Sequence, residues 1–136
     1  MKEKAVIKNS KCAEIEPAQI KDWVVSALEN FKGVDIQVLQ IDDISDFADY
    51  MIVVSGTSDR HVKSLASNTI DELRKLGVRT LGSEGEELGE WILIDFADVV
   101  VHVMREEVRA YYEIEKLWGE DIRILLKSSV NNKPEF

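Results

Sequence analysis

From Pro17 onward the apolar residues Ile20, Trp23, Val24, Ala27, Leu28 and Phe31 recur at helical spacing, which predicts a helix with Pro17 in its first turn and Gly33 as its C-terminal cap. Residues 36–41 alternate apolar and polar side chains for most of their length, the pattern of a half-buried strand. Residues 50–55, Tyr-Met-Ile-Val-Val-Ser, form an uninterrupted apolar run, which suits a strand covered on both faces and central in its sheet. Gly56-Thr57-Ser58-Asp59 closes that strand and supplies a hydroxyl N-cap. Val62, Leu65, Ala66, Thr69, Ile70, Leu73 and Leu76 then mark one face of a second helix, which Gly77 stops. A short extended piece at 78–81 leads into a Gly- and Glu-rich loop at 82–90. Two strands, 91–95 and 98–104, follow closely enough to make a hairpin. The last predicted helix covers roughly 106–118, with Ala110, Tyr111, Ile114, Leu117 and Trp118 inward and Gly119 as its cap.

Helices and strands interleave without repeats or low-complexity linkers. That order predicts one α/β domain, a mixed, mostly parallel sheet flanked by helices, with a parallel crossover around the second helix. Its expected extent is 16–120, with an N-terminal tail at 1–15 and a C-terminal tail at 121–136. A length of 136 residues supports one core and not two. The net charge of -9 argues against sequence-specific or wrapping nucleic-acid binding, which needs clustered Lys and Arg, and favours a basic protein partner. Cys12 is the only cysteine, so no internal disulfide forms. One Cys and two His also fall short of a thiol zinc site, and neither metal nor cofactor is expected. The first residues lack signal- and transit-peptide character, and no stretch reaches membrane-spanning length, which gives a cytoplasmic protein with no membrane association as the expectation.

The strongest catalytic candidate is the strand-to-helix turn Ser55-Gly56-Thr57-Ser58, because a turn of small residues at a helix N-terminus presents N–H groups to a phosphate. A nucleotidyltransferase also needs paired carboxylates for magnesium. Asp95 and Asp98 are three apart, so within one strand they point to opposite faces; they converge only if they flank a turn. The P-loop Gly-Lys-Ser/Thr ending is absent. Asp98 and His102 share a strand face but lie about 13 Å apart, too far for a charge relay. His102 therefore reads as a hydrogen-bonded core or edge histidine, and His61 as a surface contact. Trp91, Leu93 and Asp95 share one strand face, which leaves Trp91 either a core plug for the last helix or an exposed aromatic anchor; periodicity alone favours the plug. The acids Glu84, Glu86, Glu87 and Glu90 precede it, as a solvated loop or as the rim of a surface for a Lys/Arg-rich protein. Tyr111 and Tyr112 are adjacent on a helix and cannot both point fully inward, so one remains for a partner.

Several short motifs in order carry a resemblance: Phe47-Ala48-Asp49-Tyr50, Ser55-Gly56-Thr57-Ser58-Asp59-Arg60-His61, Gly82-Ser83-Glu84-Gly85, Trp91-Ile92-Leu93-Ile94-Asp95, Asp98-Val99-Val100-Val101-His102-Val103-Met104 and Tyr112-Glu113-Ile114-Glu115-Lys116-Leu117-Trp118. Over about 20–118 the chain closely resembles the ribosomal silencing factor family, RsfS, also called Iojap. The resemblance implies a nucleotidyltransferase-like fold without the catalytic carboxylates, and a non-enzymatic role. It implies binding to a basic protein of the large ribosomal subunit at the subunit-joining face, so that bulk keeps the small subunit away and translation falls in stationary phase or starvation. It also implies a homodimer. Carried over by motif, the partner-binding surface centres on Trp91 and extends to Asp95, Asp98, Tyr112 and Lys116. Two other readings stay open: a large-subunit assembly factor, and a nucleotidyltransferase-type enzyme. Family members usually have Gly where this chain has Ala97, which leaves the turn of the hairpin open.

Overall fold

The computed structural model describes residues 15–131, so residues 1–14 and 132–136 of the two expected tails lie outside the described residues. Helix α1, Pro17–Asn30, buries Ile20, Val24, Ala27 and Leu28, as its periodicity predicts. Its end differs from expectation. Lys32, not Gly33, takes the left-handed backbone (φ 64°), and the Gly33 N–H closes on the Leu28 carbonyl at 2.7 Å. Glycine is required at 33 for space, because a Cβ there would lie 2.6 Å from the Val54 side chain.

Strand β1, Val34–Gln40, pairs antiparallel with β2, Tyr50–Gly56, and bulges between Val34 and Gln37, where Asp35 stands at φ 51°. Helix α2, Asp59–Lys75, starts with the Ser58 hydroxyl accepting the His61 N–H at 3.0 Å, and it buries Val62, Leu65, Ala66, Thr69 and Leu73. Strand β3, Gly82–Glu84, precedes β4, Trp91–Asp95, and β5, Val99–Arg105, and the five strands lie in the order β1-β2-β5-β4-β3. The first residues of the predicted Gly/Glu loop are thus an edge strand.

The sheet is mixed, as expected, but not mostly parallel: β2 with β5 is the one parallel pair among four. Connection length is the reason. The link between β1 and β2 and the β4–β5 hairpin are too short to bring the chain back in the same direction, whereas the passage through α2 is long enough. The β2 strand has neighbours on both sides, as its apolar run predicts.

The sheet separates two cores. On one face α1 and α2 cover Ile52, Val54, Ile92, Ile94, Val101 and Val103. On the other, Met51, Val53 and Met104 meet Ile41, Ala48 and Ile114. Each fully buried aliphatic side chain contributes roughly 1.5–3 kcal/mol.

The predicted final helix is broken. Helix α3, Glu106–Tyr112, ends where Glu113 adopts left-handed angles (φ 47°, ψ 46°). A short α4, Ile114–Lys116, a π-helical turn, Leu117–Asp121, and α5, Ile122–Asn131, follow. Ile114 is buried and Trp118 half-buried, but Ala110, Tyr111 and Leu117 are exposed, contrary to expectation, and Gly119 does not end the helical run. Arg109 is buried in their place, and its Nε donates to Glu115 Oε2 at 2.9 Å. Six residues apart, those two would sit on different faces of a continuous helix. Beyond the expected domain boundary, Arg123 reaches back to Asp43 Oδ2 and the Gln40 carbonyl, each at 2.6 Å.

The β4–β5 loop resolves the turn at Ala97. This residue stands at φ 75°, its N–H donates to Asp95 Oδ1 at 2.8 Å, and the Phe96 N–H closes on the Val99 carbonyl at 2.9 Å. The Asp98 N–H closes on the Phe96 carbonyl at 3.0 Å across Ala97, a three-residue γ-turn with a non-glycine residue at its strained central position. Ala97→Gly is expected to stabilise the protein by about 1 kcal/mol, after relief of left-handed strain is offset by added chain entropy. Urea midpoints test this, and an unchanged or lower midpoint counts against strain at Ala97.

Candidate functional site

Strand alternation turns Ile92 and Ile94 toward α1 and α2 and leaves Trp91, Leu93 and Asp95 on the opposite face. There they adjoin Val100, His102 and Met104 of β5. Met104 is buried, whereas Trp91, Leu93, Val100 and His102 are half-buried. The Trp91 indole packs against the second core cluster, and its Nε1–H donates to His102 Nδ1 at 2.9 Å. Tyr112 covers it from α3 with ring centroids 5.0 Å apart, and Tyr111 meets Tyr112 edge-on at 4.9 Å. Tyr111 and Tyr112 are 80% and 54% exposed. A shallow recess of about 270 Å³ lies beside the indole, lined by Glu84, Gly85, Trp91, Leu93 and His102. The acids at 84, 86, 87 and 90 are all exposed next to it, as is Leu88. The indole therefore has two sides: part sits on the second core cluster and part lines the open recess.

The other expected site residues lie elsewhere or serve the fold. Asp95 is four residues along β4 from Trp91, about 13 Å, and its carboxylate holds the hairpin loop through Ala97. Asp98 accepts the Asp49 and Tyr50 N–H groups on its main-chain carbonyl, at 2.8 and 3.1 Å. Lys116 is exposed on α4. The structure thus brings Trp91 and Tyr112 together, and it sets Asp95 and Asp98 at the far end of the hairpin.

The Ser55–Ser58 turn is occupied by internal bonds. Ser55 is buried, and its Oγ accepts Arg109 NH1 at 2.9 Å. The Thr57 N–H donates to His61 Nδ1 at 2.9 Å, which leaves the ring proton on Nε2 to donate to the Phe31 carbonyl at 3.0 Å. His61, expected to be a surface contact, is instead a clamp between the end of α1 and the start of α2. Sequence reasoning passed over Arg109. Besides Ser55 and Glu115, its NH1 donates to the Asp35 carbonyl at 2.7 Å, so this guanidinium ties α3 to β2, to the β1 bulge and to α4. No apolar pattern marked it, because a charged side chain ordinarily reads as exposed. Burial lowers the His102 pKa from 6.5 to about 4, so its ring is neutral at pH 7. Among the described residues no group of three or more His, Cys, Asp or Glu is placed to hold a metal ion, and no helix is long and apolar enough to cross a membrane.

Comparison with known proteins agrees with this architecture. The family described as ribosomal silencing factor during starvation, RsfS, matches residues 14–135, well past the last of the short motifs. A ribosomal silencing factor RsfS of Chromobacterium violaceum is 47% identical over 105 residues, spanning 77% of this chain and 86% of that protein. A crystal structure of a Chromobacterium violaceum protein has a TM-score of 0.75 at 43% identity, covering 89% of this chain and 92% of that one. A mouse protein named mitochondrial assembly of ribosomal large subunit protein 1 is 34% identical over 100 residues, 71% of this chain and 44% of its own length. With the family match running over nearly all of the sequence and the same fold in a solved relative, the chain belongs to the ribosomal silencing factor family, RsfS.

Proposed function

We propose that this chain represses translation without catalysis and without a cofactor, by docking on a basic protein of the large ribosomal subunit and blocking small-subunit joining with its bulk. The observation that carries the reading is the half-open aromatic cluster of Trp91 and Tyr112, set beside exposed acids on a face that the helices leave partly uncovered. Aromatic anchors with polar rims are the usual energetic centres of protein interfaces, and surrounding acids select a basic partner. Asp95, Asp98 and Lys116 are assigned to the outer part of the same contact surface. The protein is proposed to act in the cytoplasm during starvation and to form homodimers when free.

The test mixes mature bacterial large and small subunits with the protein and separates them on sucrose gradients. The wild type is expected to reduce joined ribosomes. Trp91→Ala, confirmed as folded by its thermal melt, is expected to lose about 2 kcal/mol or more of binding, roughly thirtyfold in affinity, and to leave joining intact. Full blocking by that variant removes Trp91 from the account. The name of the mouse relative favours a second reading, assistance in large-subunit assembly. In that case mature subunits join normally in the presence of the wild-type protein.

A further inference from the structure

We infer that His102 is the positioning residue of the Trp91 anchor, its Nδ1 lone pair fixing the rotation of the indole that the partner meets. The inference rests on the docking role proposed for Trp91, but its structural half stands on geometry. In the β4–β5 register Trp91 lies opposite Met104 and Leu93 opposite His102, so Trp91 and His102 are diagonal neighbours on one sheet face. An indole nitrogen only donates, so the 2.9 Å contact requires an unprotonated Nδ1 and places the imidazole proton on Nε2. Tyr112 lies across the indole with ring centroids 5.0 Å apart, and the His102 ring meets it at 5.8 Å. Without the acceptor, a half-buried N–H loses its partner and the indole is free to turn about its last torsion.

The groups around His102 suit an acceptor that is always present. Val53 of β2 and Leu93 of β4 flank it with apolar side chains in register, Glu84 of β3 lines the same recess, and Tyr112 of α3 lies across the indole. Burial holds its pKa near 4, so at neutral pH the lone pair is free to accept.

Two variants separate positioning from packing. His102→Asn places an amide oxygen where Nδ1 stands and keeps the acceptor, whereas His102→Leu keeps bulk and removes it. The Trp91 indole N–H resonance, identified by its loss in Trp91→Phe, reports the bond through its exchange rate, and co-sedimentation with purified bacterial large subunits reports docking. His102→Leu is expected to speed exchange and to weaken co-sedimentation, each about tenfold, and His102→Asn to restore both to within about threefold. In the wild type the same resonance is expected to shift with a midpoint near pH 4, as protonation removes the lone pair. Wild-type exchange and binding in His102→Leu overturn the inference, as does failure of a folded His102→Asn to restore them. If His102→Leu does not fold, wild-type imidazole nitrogen shifts that place the His102 proton on Nδ1 at neutral pH overturn it. Normal binding by Trp91→Ala defeats the docking role instead, and the exchange and pH measurements still decide the bond.

Discussion

Replacing Arg109 with Met is expected to destabilise the protein by about 3 kcal/mol or more, measured by urea unfolding at neutral pH. Arg109 is 5% exposed and donates to the Ser55 hydroxyl, the Asp35 carbonyl and the Glu115 carboxylate. Methionine preserves much of the aliphatic volume, so the loss comes chiefly from polar groups left without a donor, Glu115 foremost. Arg109→Lys is expected to recover only part of the loss, because an ammonium does not reproduce a planar fork aimed at several acceptors. The effect reaches the candidate site as well. Glu113 reverses the helix between Arg109 and Glu115, and Tyr112 lies at that reversal over Trp91. Losing the Arg109–Glu115 tie is therefore expected to loosen Tyr112, visible as a change in near-ultraviolet circular dichroism. A loss below about 1 kcal/mol in Arg109→Met would show that the network is replaceable by packing alone.

Gly85→Ala is expected to cost about 3 kcal/mol and to open the recess beside Trp91. Gly85 stands at φ 91°, and a Cβ there would lie 2.2 Å from the Trp91 carbonyl oxygen. Left-handed backbone disfavours alanine by roughly 1–2 kcal/mol. The clash adds to this because its partner is main chain held in β4, which does not move aside as a side-chain tip does. The chain relieves the overlap by lifting the loop, which unpairs Glu84 from Leu93. Faster amide exchange at the β3–β4 pairing, with the β2–β5 pairing unchanged, is the expected signature. A wild-type midpoint and unchanged exchange would contradict the close approach at Gly85.

The elements best read from the sequence are those in which one pattern governs a whole segment. The apolar run in β2, the stripe of α2 and the alternation of β4 each follow from burial on known faces. The parallel crossover through α2 and the antiparallel hairpin match expectation, but the share of parallel pairs is smaller than expected, because periodicity carries no sense of direction and only the lengths of the connections distinguish one parallel pair from several. Strand β3 is three residues long and too short to alternate. The end of the chain inverts the usual rule, with Arg109 buried and Tyr111 exposed, so a hydrophobic pattern runs through Glu113 where the backbone turns. Trp91 and Tyr112 were legible as candidates, but their contact depends on that turn. Asp95 and Asp98 were conspicuous for their charge, yet Asp95 holds the hairpin loop through its carboxylate and Asp98 contributes its carbonyl to the Asp49–Tyr50 backbone.

The placement of β5 between β2 and β4 has a consequence for synthesis of the chain. Tyr50 pairs with Val99, a separation of roughly fifty residues, so β2 leaves the ribosome with one backbone edge unpaired. At about 5–20 residues per second that edge waits a few seconds for its partner. An unpaired Met-Ile-Val-Val segment is a template for aggregation, and the antiparallel β1 guards only its other side. Closure of the central parallel pair is therefore the step that ends the exposure, and until then α2 is able to shield one face of β2 but not its open edge.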